Sequence, residues 1–359
     1  MTSHARRAAG LLVAAVVAVV AVGCGAPSAS VAPASAGASA SPSIAAADSS
    51  GSVVLTPNPG SPPPDLAHVG GTWETGVKMP SRRAENAAVA LDGRIYLAGG
   101  LDAKGNTLAT FEAFDTATGT WSTLPPLPEP RDHFGFAVLN GKIYLSGGSI
   151  FFTGKIARGL WVYDPVAAKW GALAPMPGDR SQHGMAAVDG KLYVTGGVVR
   201  GPNARSLWAW DPATGEWQSD LPLMPTEREH LSVVEASGKL YAMGGRKGSN
   251  LGANEVYDPA TNAWTTLPDL PTPRGGMAIG VIGEAIHAAG GENLQAMSTY
   301  PEHEVFDTAT GTWAKAPDLP TKRHGLAAAV VDGHWYVIGG GRSAMLSASD
   351  IVEIFTPAP

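Results

Sequence analysis

Short runs of alternating or wholly apolar residues recur along this chain from about residue 70 onward, as in "FGFAVL" (134–139) and "KIYLSGG" (142–148). Runs of that length, bounded by turn residues, predict β-strands rather than long helices. Between paired runs stand Asp92-Gly93, Asn140-Gly141, Asp189-Gly190, Ser237-Gly238 and Asp332-Gly333. Such pairs predict two-residue type I′ hairpins, in which both residues need positive φ. At the fifth such place the chain has Gly283-Glu284, which suits a type II′ turn. A second kind of turn reads "DTATGTW" or "DPATGEW". There the Asp can cap backbone amides, while Gly119, Gly215 and Gly311 supply left-handed conformations.

These elements repeat. Gly-Gly doublets begin at Gly99, Gly147, Gly196, Gly244, Gly290 and Gly339, with spacings of 48, 49, 48, 46 and 49. Three positions before each doublet stand Tyr96, Tyr144, Tyr193, Tyr241, His287 and Tyr336. Sixteen before each stand Arg83, Arg131, Arg180, Arg228, Arg274 and Arg323, and a proline precedes each Arg by three. After the first five doublets an aromatic-Asp pair leads, six residues on, to Trp121, Trp170, Trp217, Trp264 and Trp313. Trp73 lies 48 residues before Trp121, in phase with that series, while the last repeat ends in "DIVEIFTPAP" with no Trp.

Six copies with Arg, Tyr, Gly-Gly and Trp in fixed phase resemble the kelch repeat, and the match covers roughly residues 72–357. The aromatic-Asp motif is not a sialidase Asp-box, which places its Trp one residue closer. The resemblance implies an all-β, six-bladed kelch-type propeller of four-stranded blades. The final blade lacks its outer strand. Residues 72–76 are expected to supply it by pairing with 351–355, closing the ring.

Composition adds the ends of the chain. Residues 1–23 hold Arg6, Arg7 and an apolar run from Leu11 to Val22, a secretory signal too short for a membrane span. The only cysteine, Cys24, follows Ala21-Val22-Gly23, which resembles a bacterial lipobox. That resemblance implies cleavage before Cys24 and its acylation, so an exported protein anchored to the cell membrane is expected. Residues 24–68 are rich in Ala, Ser and Pro and read as a disordered tether. The propeller is then expected over 69–359, as a monomer. With one cysteine, no disulfide can form within the chain. A net charge of −6 disfavours a nucleic-acid partner.

Candidate chemistry lies where the repeats diverge. The recurring arginines read as structural. Two residues after them stand Glu85, His133, Gln182, His230, Gly276 and Gly325, with His183 and His324 one position to either side of that register. By the resemblance, these face the central channel and one loop face. Loops on that face carry Phe151, Phe152, Lys155 and Arg158, then Arg200 and Arg205, then Arg246 and Lys247. Six basic residues and no acid in three loops point to an anionic partner.

Two functions follow. One is a surface-anchored, non-enzymatic module that presents its loop face to a protein, glycan or other anionic ligand. No nucleophile elbow, P-loop or metalloprotease helix is present, and neither cofactor nor metal is expected. The other is a carbohydrate-active enzyme resembling kelch-type sialic-acid mutarotases, with Glu85, His133 and His230 as acid–base candidates on an acidic sugar. Copper chemistry of the galactose-oxidase type is disfavoured, since it needs a Cys crosslinked to Tyr and Cys24 lies outside the repeats. Convergence of the three candidates in one pocket would favour the enzyme.

Overall fold

The computed structural model describes residues 66–199 and 204–359; Cys24, Arg200, the signal segment and nearly all of the tether lie outside the described residues. Among the described residues six blade sheets follow one another, each built of four antiparallel strands, the fifth with one further short parallel strand at its rim. The first blade runs Ala87–Leu91, Arg94–Ala98, Phe111–Asp115 and Thr120–Thr123 from axis to rim. The innermost strands of the others are Gly135–Leu139, Gly184–Val188, Ser232–Ala236, Ala278–Ile282 and Ala327–Val331. Each packs against the next, and the last against the first, so the ring is closed.

The hairpin turns have the expected conformations. Asp92 and Gly93 sit at φ 52° and 70°, and the other four pairs match them. The turn aspartates cap amides: Asp115 Oδ1 accepts from Thr118 N at 3.0 Å and Asp211 Oδ1 from Ala213 N at 2.8 Å.

Closure comes from the N-terminal side. Gly71–Thr75 pairs antiparallel with Val352–Pro357, placing Trp73 opposite Phe355. A further pairing lies N-terminal to that strand. Ala67–His68 pairs in parallel with Ala314 and Lys315 of the fifth blade, so these two residues of the expected tether belong to the propeller.

Cyclic sets of hydrogen bonds join the blades. On the outside, each outer-strand indole N–H donates to a carbonyl of the preceding blade. Trp313 donates to Pro268 at 2.9 Å, and Trp73 to Pro317 at 2.8 Å, so the N-terminal strand is a full member of the series. Further in, the second glycine of each doublet donates to the carbonyl of the next blade's Arg, as in Gly100 N to Arg131 O and Gly340 N to Arg83 O, both 2.8 Å. That approach needs the first glycine: a Cβ on Gly147 would lie 2.3 Å from Arg180 O.

All six arginines are buried, five of them completely, and burial of a guanidinium requires partners. Arg228 pairs with Glu255 at 2.6 Å and Arg323 with Glu353 at 2.8 Å; Arg83 pairs with Glu112, and Arg274 with Glu304. The third blade offers Ser206 and the face of Trp208 instead, and burial there lowers Arg180 to about 9. In the second blade Trp161 stands where the glutamate would be, and Arg131 turns to Glu129.

Candidate functional site

The six residues two places after the arginines meet at the axis. Their backbones form a closed ring of hydrogen bonds. Glu85 N donates to Gly325 O, Gly325 N to Gly276 O, Gly276 N to His230 O, His230 N to Gln182 O, Gln182 N to His133 O, and His133 N to Glu85 O, at 2.8–3.3 Å. All six adopt left-handed φ: 53° for Glu85 and His133, 57° for Gln182, 51° for His230, 66° for Gly276 and 60° for Gly325. Glycine accepts this conformation freely. Each of the four other residues has roughly 1–2 kcal/mol against it. The surrounding propeller over-determines the strained geometry and points the side chains at the axis.

Above the ring, on the face of the loops that follow the Gly-Gly doublets, lies a cavity of about 560 Å³. Below it the channel continues as a narrower space of about 190 Å³, lined mainly by small and apolar residues of the inner strands. Glu85, His133, Gln182 and His230 line both, so they form the floor of the upper cavity.

The floor is a proton-sharing network. His133 Nδ1 lies 2.8 Å from Asp132 Oδ1, and its Nε2 lies 3.2 Å from Glu85 Oε2. Asp132 also accepts from Thr107 Oγ1 at 2.7 Å and Phe151 N at 3.1 Å, which fixes the carboxylate. Burial alone would push the His133 imidazole down, but Glu85 and Asp132 outweigh it and hold the ring above its ordinary value. The same contacts hold Asp132 low against its own burial.

His230 stands 5.0 Å from His133, ring to ring and nearly perpendicular, yet behaves oppositely. Burial and the nearby Arg246 push it well below the histidine range. Arg246 donates to its Nε2 at 2.9 Å, so the proton of the neutral ring sits on Nδ1, against Glu229. Arg246 also binds Glu229 and Glu292, each at 2.8 Å. His324 lies 3.5 Å from Glu292 and 3.8 Å from Glu85.

Glu85, His133 and His230 bring ligand-type atoms within 4.8 Å of one another. The chemistry there suits protons better than a cation. A metal would have to displace Arg246 from His230 and a proton from His133, beside a fixed guanidinium.

Other sequence candidates fall elsewhere. His183 is buried behind the ring, bonded to Ser146 Oγ at 2.9 Å, and burial takes it to about 3. Arg205 donates to Met224 O at 2.7 Å and Lys247 pairs with Glu227 at 2.5 Å; neither lines the cavity. Phe151 lines the cavity wall, and Phe152 meets it edge-on at 5.5 Å. Among the described basic loop residues, only Arg246 reaches the cavity.

Sequence reasoning missed Asp132, Glu229 and Glu292. The first two directly follow an arginine of the repeat, and Glu292 directly follows a doublet. Those two columns bridge within each blade, as in Asp132 to Ser149, Glu229 to Arg246 and Gly275 to Glu292. Reading both columns beside the ring register would have found the whole floor.

Comparisons with known proteins agree with this architecture. The kelch motif model matches residues 82–128 and 130–177, and the model for the KLHDC2/KLHL20/DRC7 Kelch-repeats domain matches 174–291. No curated protein matches the chain. A solved structure described as "Structure of YjhT" superposes with a TM-score of 0.67 at 20% identity, covering 77% of this chain and 95% of that one. At that identity the likeness concerns the fold alone. Repeat phase, closed six-bladed ring and family matches agree: the chain is a kelch-repeat β-propeller protein.

Proposed function

We propose that the loop-face cavity binds a small reducing sugar and exchanges its anomers by proton transfer through Glu85 and His133. The observation that carries this reading is the Asp132–His133–Glu85 chain, held on a strained ring and open to a cavity of ligand size. Ring opening needs one base and one acid on the same side of a bound hemiacetal. The Glu85 carboxylate takes the proton of the anomeric hydroxyl. His133, kept protonated by its two carboxylates, gives one to the ring oxygen as the C–O bond breaks. The open-chain carbonyl rotates and closes on its other face, and both protons return. No oxidant or cofactor enters the balance. Gln182 and Arg246 supply fixed hydrogen-bonding groups for hydroxyls.

The sugar proposed is neutral rather than acidic. Four floor carboxylates (Glu85, Asp132, Glu229 and Glu292) outnumber Arg246 and the His133 imidazolium, and Arg246 is already held by two of them. A sugar carboxylate would face net negative charge. Export and anchoring through a lipid on Cys24 belong to this reading, on the support of the sequence around that residue. A second reading, a surface that binds a partner protein or glycan without chemistry, draws on Phe152, which is 68% exposed.

The test is the rate of anomer exchange, followed by NMR or polarimetry, across neutral reducing sugars and N-acetylneuraminic acid. Acceleration of at least one neutral sugar is expected, falling by about 10²-fold or more in Glu85→Gln with an unchanged thermal melt. Gln already occupies the equivalent ring position at residue 182, so the fold tolerates it. No acceleration of any sugar, or full activity in E85Q, would sink the reading.

A further inference from the structure

The walls of the cavity differ from its floor. Phe151, Leu294, Met297, Met345 and Leu346 line it, and each is 38–60% exposed. Large apolar side chains left this open are few among the described residues, and with Phe152 most of them gather around this one cavity. Scattered exposed apolar residues need no explanation, but a contiguous patch at the mouth of a polar site does.

The patch is built, not loose. Met297 and Met345 both hold left-handed φ, 49° and 66°, a conformation that works against unbranched side chains as well. Met345 N donates to the floor carboxylate Glu292 Oε2 at 3.0 Å, which ties the sixth-blade loop to the site. Thr299 Oγ1 donates to Arg342 O at 3.2 Å, tying the fifth-blade loop to the sixth. Methionine is the side chain that adapts best to flexible apolar groups.

From this juxtaposition we infer that the natural ligand is amphipathic: a reducing sugar bearing an acyl or alkyl chain away from its anomeric carbon. The inference rests on the sugar reading above and extends it. The hydroxylated ring sits on the charged floor, with its anomeric centre at Glu85 and His133. The chain lies along Met297, Met345 and Leu346, where it displaces water from both surfaces. An acyl group on an amino or hydroxyl substituent other than the anomeric hydroxyl meets the requirement, because it leaves the hemiacetal free to open.

The experiment compares glucosamine, N-acetylglucosamine and N-octanoylglucosamine, with octanamide as a chain lacking the sugar. Binding is read by calorimetry below any micelle concentration, and anomer exchange by NMR. N-octanoylglucosamine should bind about tenfold or more tighter than the acetyl sugar, as a few buried methylenes imply, and tighter than octanamide. In the double variant Met297→Ser/Met345→Ser the octanoyl-to-acetyl ratio should fall towards one. Both side chains are mostly exposed, and a ratio of two ligands on one protein does not depend on the amount folded. Equal affinity for the two acylated sugars, equal affinity for octanamide, or an unchanged ratio in the double variant overturns the inference. Exchange that is accelerated equally for every chain length removes the inference and leaves the sugar reading standing. Tight, chain-dependent binding with no accelerated exchange does the reverse.

Discussion

Two histidine clusters in this propeller show opposite proton chemistry. At the seam where the fifth blade packs on the closing strand and its partner, His287 Nδ1 and His303 Nε2 lie 2.9 Å apart, and His303 Nδ1 reaches Pro317 O at 3.2 Å. The carbonyl accepts from Nδ1 of His303, so its Nε2 accepts the proton of His287, and both rings are neutral. Trp73, Trp335 and Phe355 surround His303 at 5.5, 5.3 and 4.7 Å. Burial takes His287 to about 4 and His303 to about 3. At the axis, His133 is only partly buried, and Glu85 and Asp132 raise it. Burial alone makes a histidine a structural residue. Placement between two carboxylates instead favours the protonated ring. The seam therefore bears on stability, and the axis on the proton transfer proposed above.

The largest effect that separates them is removal of the closing strand. Deleting residues 70–79 strips Trp73 and its pairing from the sixth blade and opens the ring. Loss of a packed Trp alone costs about 3–5 kcal/mol, so the cooperative melt followed by circular dichroism should vanish. A deletion variant that still melts cooperatively would show that the seam does not govern stability.

Acid should act next, and through the seam. Unfolded histidines take up protons below about 6.5, whereas folded His287 and His303 stay neutral to about 4 and about 3. The unfolded chain binds more protons across that window, so stability falls as pH drops through it, by up to about 3 kcal/mol for His287. His133 works the other way. Its raised value adds stability below about 6.5 that is lost as pH rises through the folded value. His303→Asn isolates the seam. Asn254 holds the matching place in the fourth blade and donates to Pro268 O at 3.1 Å, so Asn at 303 can keep the bond to Pro317. Denaturant melts of the variant between pH 7 and 4 should show a shallower acid loss than wild type; an equal slope would assign the loss elsewhere.

At the axis, Gly325→Ala should cut anomer exchange about tenfold or more with a modest stability cost of about 1 kcal/mol. Its Cβ would lie 2.5 Å from Glu85 Oε1, so the carboxylate must leave its place beside His133. Gly276 offers a control. A Cβ there meets nothing closer than 3.4 Å, so Gly276→Ala carries a similar backbone cost and spares Glu85. Equal activity losses in both variants would show that backbone strain, not the carboxylate, matters. The smallest effect is Lys247→Glu. This exposed residue pairs only across the surface with Glu227, so stability should move by less than about 1 kcal/mol and exchange should not change.

Much of the propeller was legible before any coordinates. The hairpin pairs, the doublets and the phase of Trp73 each encode a local event: a turn, a close approach, a strand. The ring register was legible too, since Glu85, His133, Gln182 and His230 stand out as unlike residues on a like frame. The basic loops misled as to where charge gathers. Arg246 meets two acids, Glu229 from the facing column of its own blade and Glu292 from its own column in the next blade, and spacing within one loop carries no sign of either.

By itself, then, the sequence determined the strands, their turns, the number of blades and the segment that closes the ring. These depend on contacts within a blade or on an interface repeated from blade to blade, so each repeat carries the information. Tertiary structure alone decided which side chains share the axis, which histidine holds a proton and which carboxylates answer Arg246. Key pairs among them, Glu85 with His133 and Arg246 with Glu292, come from different blades and become neighbours only when the ring has formed. Their proton affinities follow from distances and burial that a single repeat does not contain.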